Sequence, residues 1–152
     1  MANVWTPRDK PGHKAYQMDE GVVRQKRFTL TSAEILALYT TAQEIVPAPG
    51  KGKYLEFVSA TLFLNHGGTD YANGGNLSFQ INSVDVCAVI GNTALVNSAA
   101  DACVQTTATA TAFAVAEDTA MNITNAGAAH ITGNGTISGL VTYRVVDFST
   151  ED

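Results

Sequence analysis

The chain has 152 residues, of which 45% are hydrophobic and only 15% charged, and its formal net charge is −5 at pH 7. This length predicts one domain that can bury a core. The sequence holds no run of about 18 apolar residues, so we expect no membrane span, and no apolar segment follows the basic N-terminal residues as in a secretory signal. The low charge favours either a surface covered by a partner or a β-rich domain with neutral Thr and Asn on its outer faces.

The first 27 residues differ from the rest of the chain in charge. Their six basic residues against three acids give a local balance of +3, whereas the remainder has three basic residues against eleven acids, a balance of −8. Pro7, Pro11 and Gly12 exclude a continuous helix. We therefore predict an extended N-terminal arm over 1–27 and a β-domain over 28–152; the alternative is a frayed terminus.

The predicted arm would bind an acidic protein surface through its cations and two isolated aromatic side chains. The candidate partner-binding residues are Trp5, Arg8, Lys10, Lys14, Tyr16, Arg24, Lys26 and Arg27. We expect no nucleic-acid partner, because the chain as a whole is acidic and would be repelled by phosphates.

A short strand is predicted from Arg27 to Leu30, followed by a helix. Thr31 and Glu34 have the spacing of a capping box, in which each side chain bonds the other residue's backbone amide. Apolar residues then follow, and we expect the helix to cover residues 32–38.

The best strand signal of the chain runs from Tyr54 to Leu64, after a short strand at Glu44–Val46 and a Pro/Gly turn. Strict alternation places Leu55, Phe57 and Phe63 on one side of this strand. Val58, Ala60, Leu62 and Leu64 fall on the other side. Because both sides are largely apolar, we expect a central strand that is covered on both faces.

Short apolar runs and two Gly/Asn loops, 65–76 and 125–135, make up the remainder. Strands are predicted at 77–81, 106–115, 120–124 and 137–148. In the first, Ser78 and Gln80 are expected on a solvent-exposed face, and in the third, Met121 and Ile123 are expected to point inward. The last strand is expected to lie inside a sheet. Residues 91–105 fit a helical turn as well as a loop with a short strand. Together the pattern predicts an all-β fold, an antiparallel β-sandwich or jelly roll with one short helix.

No catalytic constellation stands out. His66 and Asp70 bracket a Gly-Gly-Thr turn, but zinc needs at least three protein ligands. Cys87 and Cys103 lie in no metal or redox motif, so we expect free thiols in a reducing compartment; the alternative is a disulfide that forms later, outside the cell. We therefore expect no enzyme, no metal and no cofactor.

Three segments resemble small structural proteins of tailed bacteriophages. They are Leu30–Leu38, Glu44–Ala60 and Gly133–Phe148, and the likeness spans roughly residues 28–148. The resemblance implies a capsid decoration (cement) protein on the outer surface of the head, made in the host cytoplasm. It implies a dimer or trimer that bridges neighbouring major capsid subunits, and it brings no catalytic residues. Two alternatives remain: a tail, neck or baseplate component, and a carbohydrate- or cell-surface-binding module. The second would need exposed loop aromatics, for which Tyr71 is the candidate.

Overall fold

A computed structural model describes residues 22–109 and 116–149. The strands are β1 (Val23–Leu30), β2 (Gln43–Val46), β3 (Lys53–Asn65), β4 (Ala72–Asn73), β5 (Asn76–Ile81), β6 (Val84–Asp85), β7 (Ala102–Thr107), β8 (Met121–Ala126), β9 (His130–Ile131) and β10 (Thr136–Asp147). A helix, α1 (Ser32–Ala37), connects β1 to β2, and a 3₁₀ turn covers Asn92–Ala94. No helix in these ranges is both long and apolar enough to cross a membrane.

Two four-stranded sheets form the fold. Sheet A has the order β1-β10-β3-β7, sheet B has the order β2-β8-β5-β6, and β4 pairs separately with β9. Every pairing is antiparallel. Buried side chains of both sheets share one core, in which the rings of Phe57 and Phe79 lie 5.2 Å apart. The prediction of an all-β antiparallel sandwich is therefore confirmed.

Backbone hydrogen bonds connect the two sheets along one side of the sandwich, whereas in the described residues no strand joins them along the other side. Residues 86–90 join them, because the amide of Ala88 donates to Thr107 of β7 while Leu77 of β5 and Ile90 exchange two backbone hydrogen bonds. On the opposite side, β1 and β2 end their sheets and have no second strand partner in the described residues. Two strand edges with unpaired backbone groups therefore lie on the open side.

The predicted capping box is present at the start of α1. The Glu34 carboxylate accepts from the Thr31 amide at 2.7 Å, and the Thr31 hydroxyl accepts from the Glu34 amide at 3.3 Å. These hydrogen bonds from Thr31 stabilise the ionised form and lower the pKa of Glu34. Ile35 and Leu38 are fully buried and anchor the helix to the core.

β3 is a central strand, as predicted, but the assignment of its two faces was wrong. Thr142 of β10 pairs with Ser59, whereas the next residue, Tyr143, pairs with Phe57, so Val58 is the extra residue of a β-bulge. The bulge reverses the alternation and puts all the fully buried side chains of β3 on one face: Leu55, Phe57, Ala60, Leu62 and Leu64. Phe63 lies on the other face and is 40% exposed, so β3 is covered by sheet B on one face only.

Several other boundaries also differ from the prediction. β1 begins at Val23 rather than at Arg27, because residues 23–30 pair with β10 over their whole length. The first Gly/Asn loop contains β4, which pairs with β9 in the second loop. Ser78 is buried rather than wet, because its hydroxyl donates to Asp85 at 2.7 Å. Residues 110–115 of the strand predicted at 106–115 lie outside the described residues, and β7 begins earlier, at Ala102.

The strands at β2, β8 and β10 agree with the predictions. Met121 and Ile123 point inward and are fully buried. β10 lies between β1 and β3, so the last strand is inside a sheet.

Candidate interaction surface

The outer face of sheet A lies opposite the shared core. In its centre, Leu140 of β10 pairs with Thr61 of β3, which pairs with Gln105 of β7. In the next row, Ser138, Phe63 and Cys103 lie side by side. Uncharged side chains therefore surround an exposed aromatic ring. We call these two rows the outer patch.

One end of the same face carries an ion pair and an aromatic pair. Arg144 donates to Glu56 at 2.7 Å across β10 and β3. The rings of Tyr54 and Phe148 lie 5.5 Å apart, and Phe148 is 67% exposed. Charge on the outer face is thus confined to this end and to the β1 edge, and the outer patch itself is uncharged.

The edge strand β1 carries three exposed cations, Arg24, Lys26 and Arg27. Lys26 pairs with the buried Val141, so Lys26 and Arg24 point to the inner side of sheet A. Arg27 pairs with Leu140 and points to the outer side. No acidic side chain of the described residues forms an ion pair with these cations. We call the three residues the β1 cationic edge.

Most acidic side chains, in contrast, are engaged within the chain. Asp118 accepts from the Gly50 amide at 2.8 Å, Asp101 accepts from the His66 amide at 2.8 Å, and Glu117 accepts from the Gly52 amide. Five more accept hydrogen bonds in the same way: Glu34, Glu56, Asp70, Asp85 and Asp147. These acids hold turns and strands in place, so they do not neutralise β1.

The predicted partner-binding residues are divided by the structure. Arg24, Lys26 and Arg27 belong to sheet A instead of a separate arm. Trp5, Arg8, Lys10, Lys14 and Tyr16 lie outside the described residues, so their role stays a prediction.

The Gly/Asn loops form a structured end of the sandwich. His66 Nε2 lies 2.7 Å from Asp70 Oδ1, and its Nδ1 accepts from the Gly68 amide at 3.2 Å. This pairing fixes the turn that the sequence placed between the two residues. In residues 22–109 and 116–149, no three His, Cys, Asp or Glu side chains converge as metal ligands.

Tyr71 is buried, contrary to the exposed position that a sugar-binding role required. Its hydroxyl donates to the Gly135 carbonyl at 2.6 Å, and burial raises the pKa of Tyr71 to about 12. Beside it lies the buried His130, whose ring centroid is 6.2 Å away. Neither ring nitrogen of His130 has a hydrogen-bond partner, and burial lowers its pKa.

Both thiols are free, as predicted, but they differ in exposure. Cys87 is buried, and burial raises the pKa of its thiol. Cys103 is exposed beside Phe63 on the outer patch.

Comparisons with known proteins identify no family for this chain. No family model and no curated protein matches the chain. Among solved structures, a chain in the capsid of Ralstonia phage GP4 is similar, with 21% sequence identity and a TM-score of 0.45 over 87% of this chain and 88% of that chain.

Proposed function

We propose that this chain is a non-enzymatic structural protein of a phage particle. In the finer form of the proposal, it decorates the outer surface of the head and stabilises it by bridging neighbouring major capsid subunits. The observation that carries the proposal is the position, in the fold, of the three segments that resemble phage structural proteins. They contribute α1, most of β2, residues 53–60 of β3 and the whole of β10, and β10 pairs directly with β3 along almost its whole length. The likeness to phage structural proteins therefore falls on the central unit of the fold.

The outer patch supports a role in binding a large protein surface. Protein interfaces commonly combine aromatic anchors with few charges at their centre. Phe63 supplies an exposed ring, and its neighbours Thr61 and Cys103 carry no formal charge. A subunit that lies flat on a shell would use such a face for contact with the shell or with another copy of itself.

The patch can be tested with two matched variants. Phe63→Ser removes the exposed ring of the outer patch, and Val89→Ser removes another exposed apolar side chain, 57% accessible, on the segment 86–90. Purified variants would be mixed with heads of the phage that encodes the chain, stripped of this protein, and sedimented. We expect Phe63→Ser to lose most of its binding and Val89→Ser to keep it. Equal binding by both variants would contradict the use of this face.

The N-terminal arm is a second part of the proposal. It would bind an acidic neighbouring chain through Trp5, Tyr16 and the basic residues between them. Because β1 begins at Val23, deletion of residues 1–20 removes none of the strands that the structure describes. We expect the truncated protein to keep its far-UV circular dichroism spectrum and to lose assembly or head binding. Normal binding by the truncated protein would reject the arm.

The alternative placement is the tail, neck or baseplate, and the assembly state separates the two. A decoration protein bridges shell subunits as a dimer or trimer, whereas a tail component commonly forms a closed ring of about six copies. Light scattering of the purified chain at two concentrations would distinguish a dimer or trimer from such a ring. The burial of Tyr71 removes the aromatic side chain on which the carbohydrate-binding alternative depended.

A further inference from the structure

We propose that the β1 cationic edge binds an acidic, extended segment of a partner protein by adding it to sheet A as a further strand. This proposal deepens the proposed function, on which it rests for the identity of the partner as a neighbouring subunit of the particle. The partner is defined by its chemistry: a strand with carboxylates on both of its faces.

The first argument is the free edge. β1 is eight residues long, and among residues 22–109 and 116–149 its only strand partner is β10; residues 23–27 are exposed throughout. A strand edge of this kind offers a row of backbone donors and acceptors to an extended peptide. β1 therefore has the length and the accessibility that strand addition requires.

The second argument is charge. The described residues include nine acidic side chains, and eight of them accept hydrogen bonds from the chain itself, with Glu44 the exception. The three cations of β1 have no such partner in the same residues. Carboxylates directly opposite them in a paired strand would form favourable cross-strand pairs. The edge therefore selects an acidic partner over a neutral or basic one.

The third argument distinguishes an acidic peptide from a nucleic acid. Alternation puts Arg24 and Lys26 on the inner side of sheet A and Arg27 on its outer side. Residues of a paired strand project to the same two sides, so a peptide can meet all three cations at once. A phosphate backbone would follow one face. The geometry thus predicts a partner with acids opposite residues 24, 26 and 27.

The test uses a synthetic peptide and the full chain. The fluorescein-labelled peptide Thr-Val-Glu-Glu-Thr-Glu-Val, laid antiparallel along residues 29–23, places its three glutamates opposite Arg27, Lys26 and Arg24. Fluorescence anisotropy at low salt would measure its binding, because exposed ion pairs are screened at high ionic strength. We expect saturable binding, weakened roughly tenfold by R24Q/K26Q/R27Q, since exposed pairs each contribute a few-fold.

Two controls separate strand addition from simple charge attraction. N-methylation of two consecutive peptide residues blocks backbone pairing without changing charge, and we expect it to abolish binding. The charge-reversed variant R24E/K26E/R27E should bind the matching lysine peptide, which a variant that merely fails to fold could not do. Equal binding of the N-methylated peptide, or unchanged binding by R24Q/K26Q/R27Q, would overturn the proposal.

Other occupants of the edge are outcomes of the same assay. A seven-residue oligothymidylate that binds as tightly as the glutamate peptide would indicate a nucleic-acid site and reject the proposal. Peptide binding that rises tenfold in D9N/D19N/E20Q would show that the chain's own N-terminal acids occupy the edge, which also rejects it. Loss of peptide binding with head binding retained would reject strand addition and leave the proposed function standing.

Discussion

The β-bulge at Val58 leads to a prediction about two single-residue deletions in β3. Deletion of Val58 removes the extra residue, so Phe57 is followed by Ser59 and the strand alternates regularly, with every buried side chain still inward. Deletion of Thr61 has the opposite effect. It shifts one half of the strand by one residue relative to the other half and turns that half over.

The structure gives the size of the difference. If the half before residue 61 keeps its register, deletion of Thr61 turns Leu62 and Leu64 outward, and these are 0% and 1% exposed. Exposing a buried leucine costs about 1.5–3 kcal/mol, so the pair costs about 3–6 kcal/mol, a large part of the 5–15 kcal/mol by which domains are typically stable. Deletion of Val58 loses a half-buried valine and the 3.2 Å hydrogen bond that its carbonyl accepts from Ala108, together about 2 kcal/mol.

The assay is urea unfolding of both deletion proteins and the parent chain, followed by far-UV circular dichroism. We expect both deletion proteins to have lower urea midpoints than the parent chain, and the protein lacking Thr61 to have a much lower midpoint than the protein lacking Val58. If the two deletions destabilised the chain equally, the bulge would not set the facing of β3, and this reasoning would be refuted.

Three further predictions concern the cap, a buried histidine and two glycines. Thr31→Ala should lower the free energy of unfolding by about 1 kcal/mol in urea titrations. Because the pKa of Glu34 is lowered in the folded protein, the stability that its carboxylate adds should be present above the pKa of this group in the unfolded chain and should be lost as pH falls through its pKa in the folded protein. Burial lowers the pKa of His130, so the stability due to its neutral ring should be complete above its unfolded pKa near 6.5 and should decline as pH falls below that value. The thermal midpoint should therefore fall with decreasing pH in the parent chain, and this dependence should be missing in His130→Gln. Gly75→Ala should destabilise the folded chain by about 3 kcal/mol or more, because the added Cβ would overlap a backbone carbonyl of β8 at 1.3 Å. In the control Gly50→Ala the added Cβ meets no atom within 4 Å, so this variant should lose only about 1 kcal/mol because of its positive φ. Comparable thermal midpoints of the two variants would contradict the close packing at Gly75.

Local signals predicted local structure well. The Thr31 and Glu34 spacing predicts the cap of α1, because both partners of each hydrogen bond lie within four residues. The apolar runs predict β2, β8 and β10 for a similar reason, since each contains its own inward-facing residues.

Features that depend on pairing between distant segments could not be predicted. The extra residue at Val58 exists only relative to β10, more than eighty residues later, so strict alternation gave the wrong faces for β3. The burial of Tyr71 likewise depends on the second Gly/Asn loop, where its hydroxyl finds the Gly135 carbonyl.

The candidate surface was predicted in part. The basic residues at 24, 26 and 27 were identified by charge, but their membership of β1 follows from pairing with β10, and the missing apolar alternation at 23–27 hid this strand. The outer patch was not predicted, because both faces of β3, including the one assigned to Phe63, were expected to be covered. An alternation count that allowed one extra residue near Val58 would have found it.

The most direct test of the central claim is the copy number of this chain in purified phage particles, measured by quantitative mass spectrometry against the major capsid protein. The account predicts hundreds of copies per particle, in a simple ratio to the shell subunits. About six copies would place the chain in the tail or neck. Its absence from the particles would contradict a structural role in the virion.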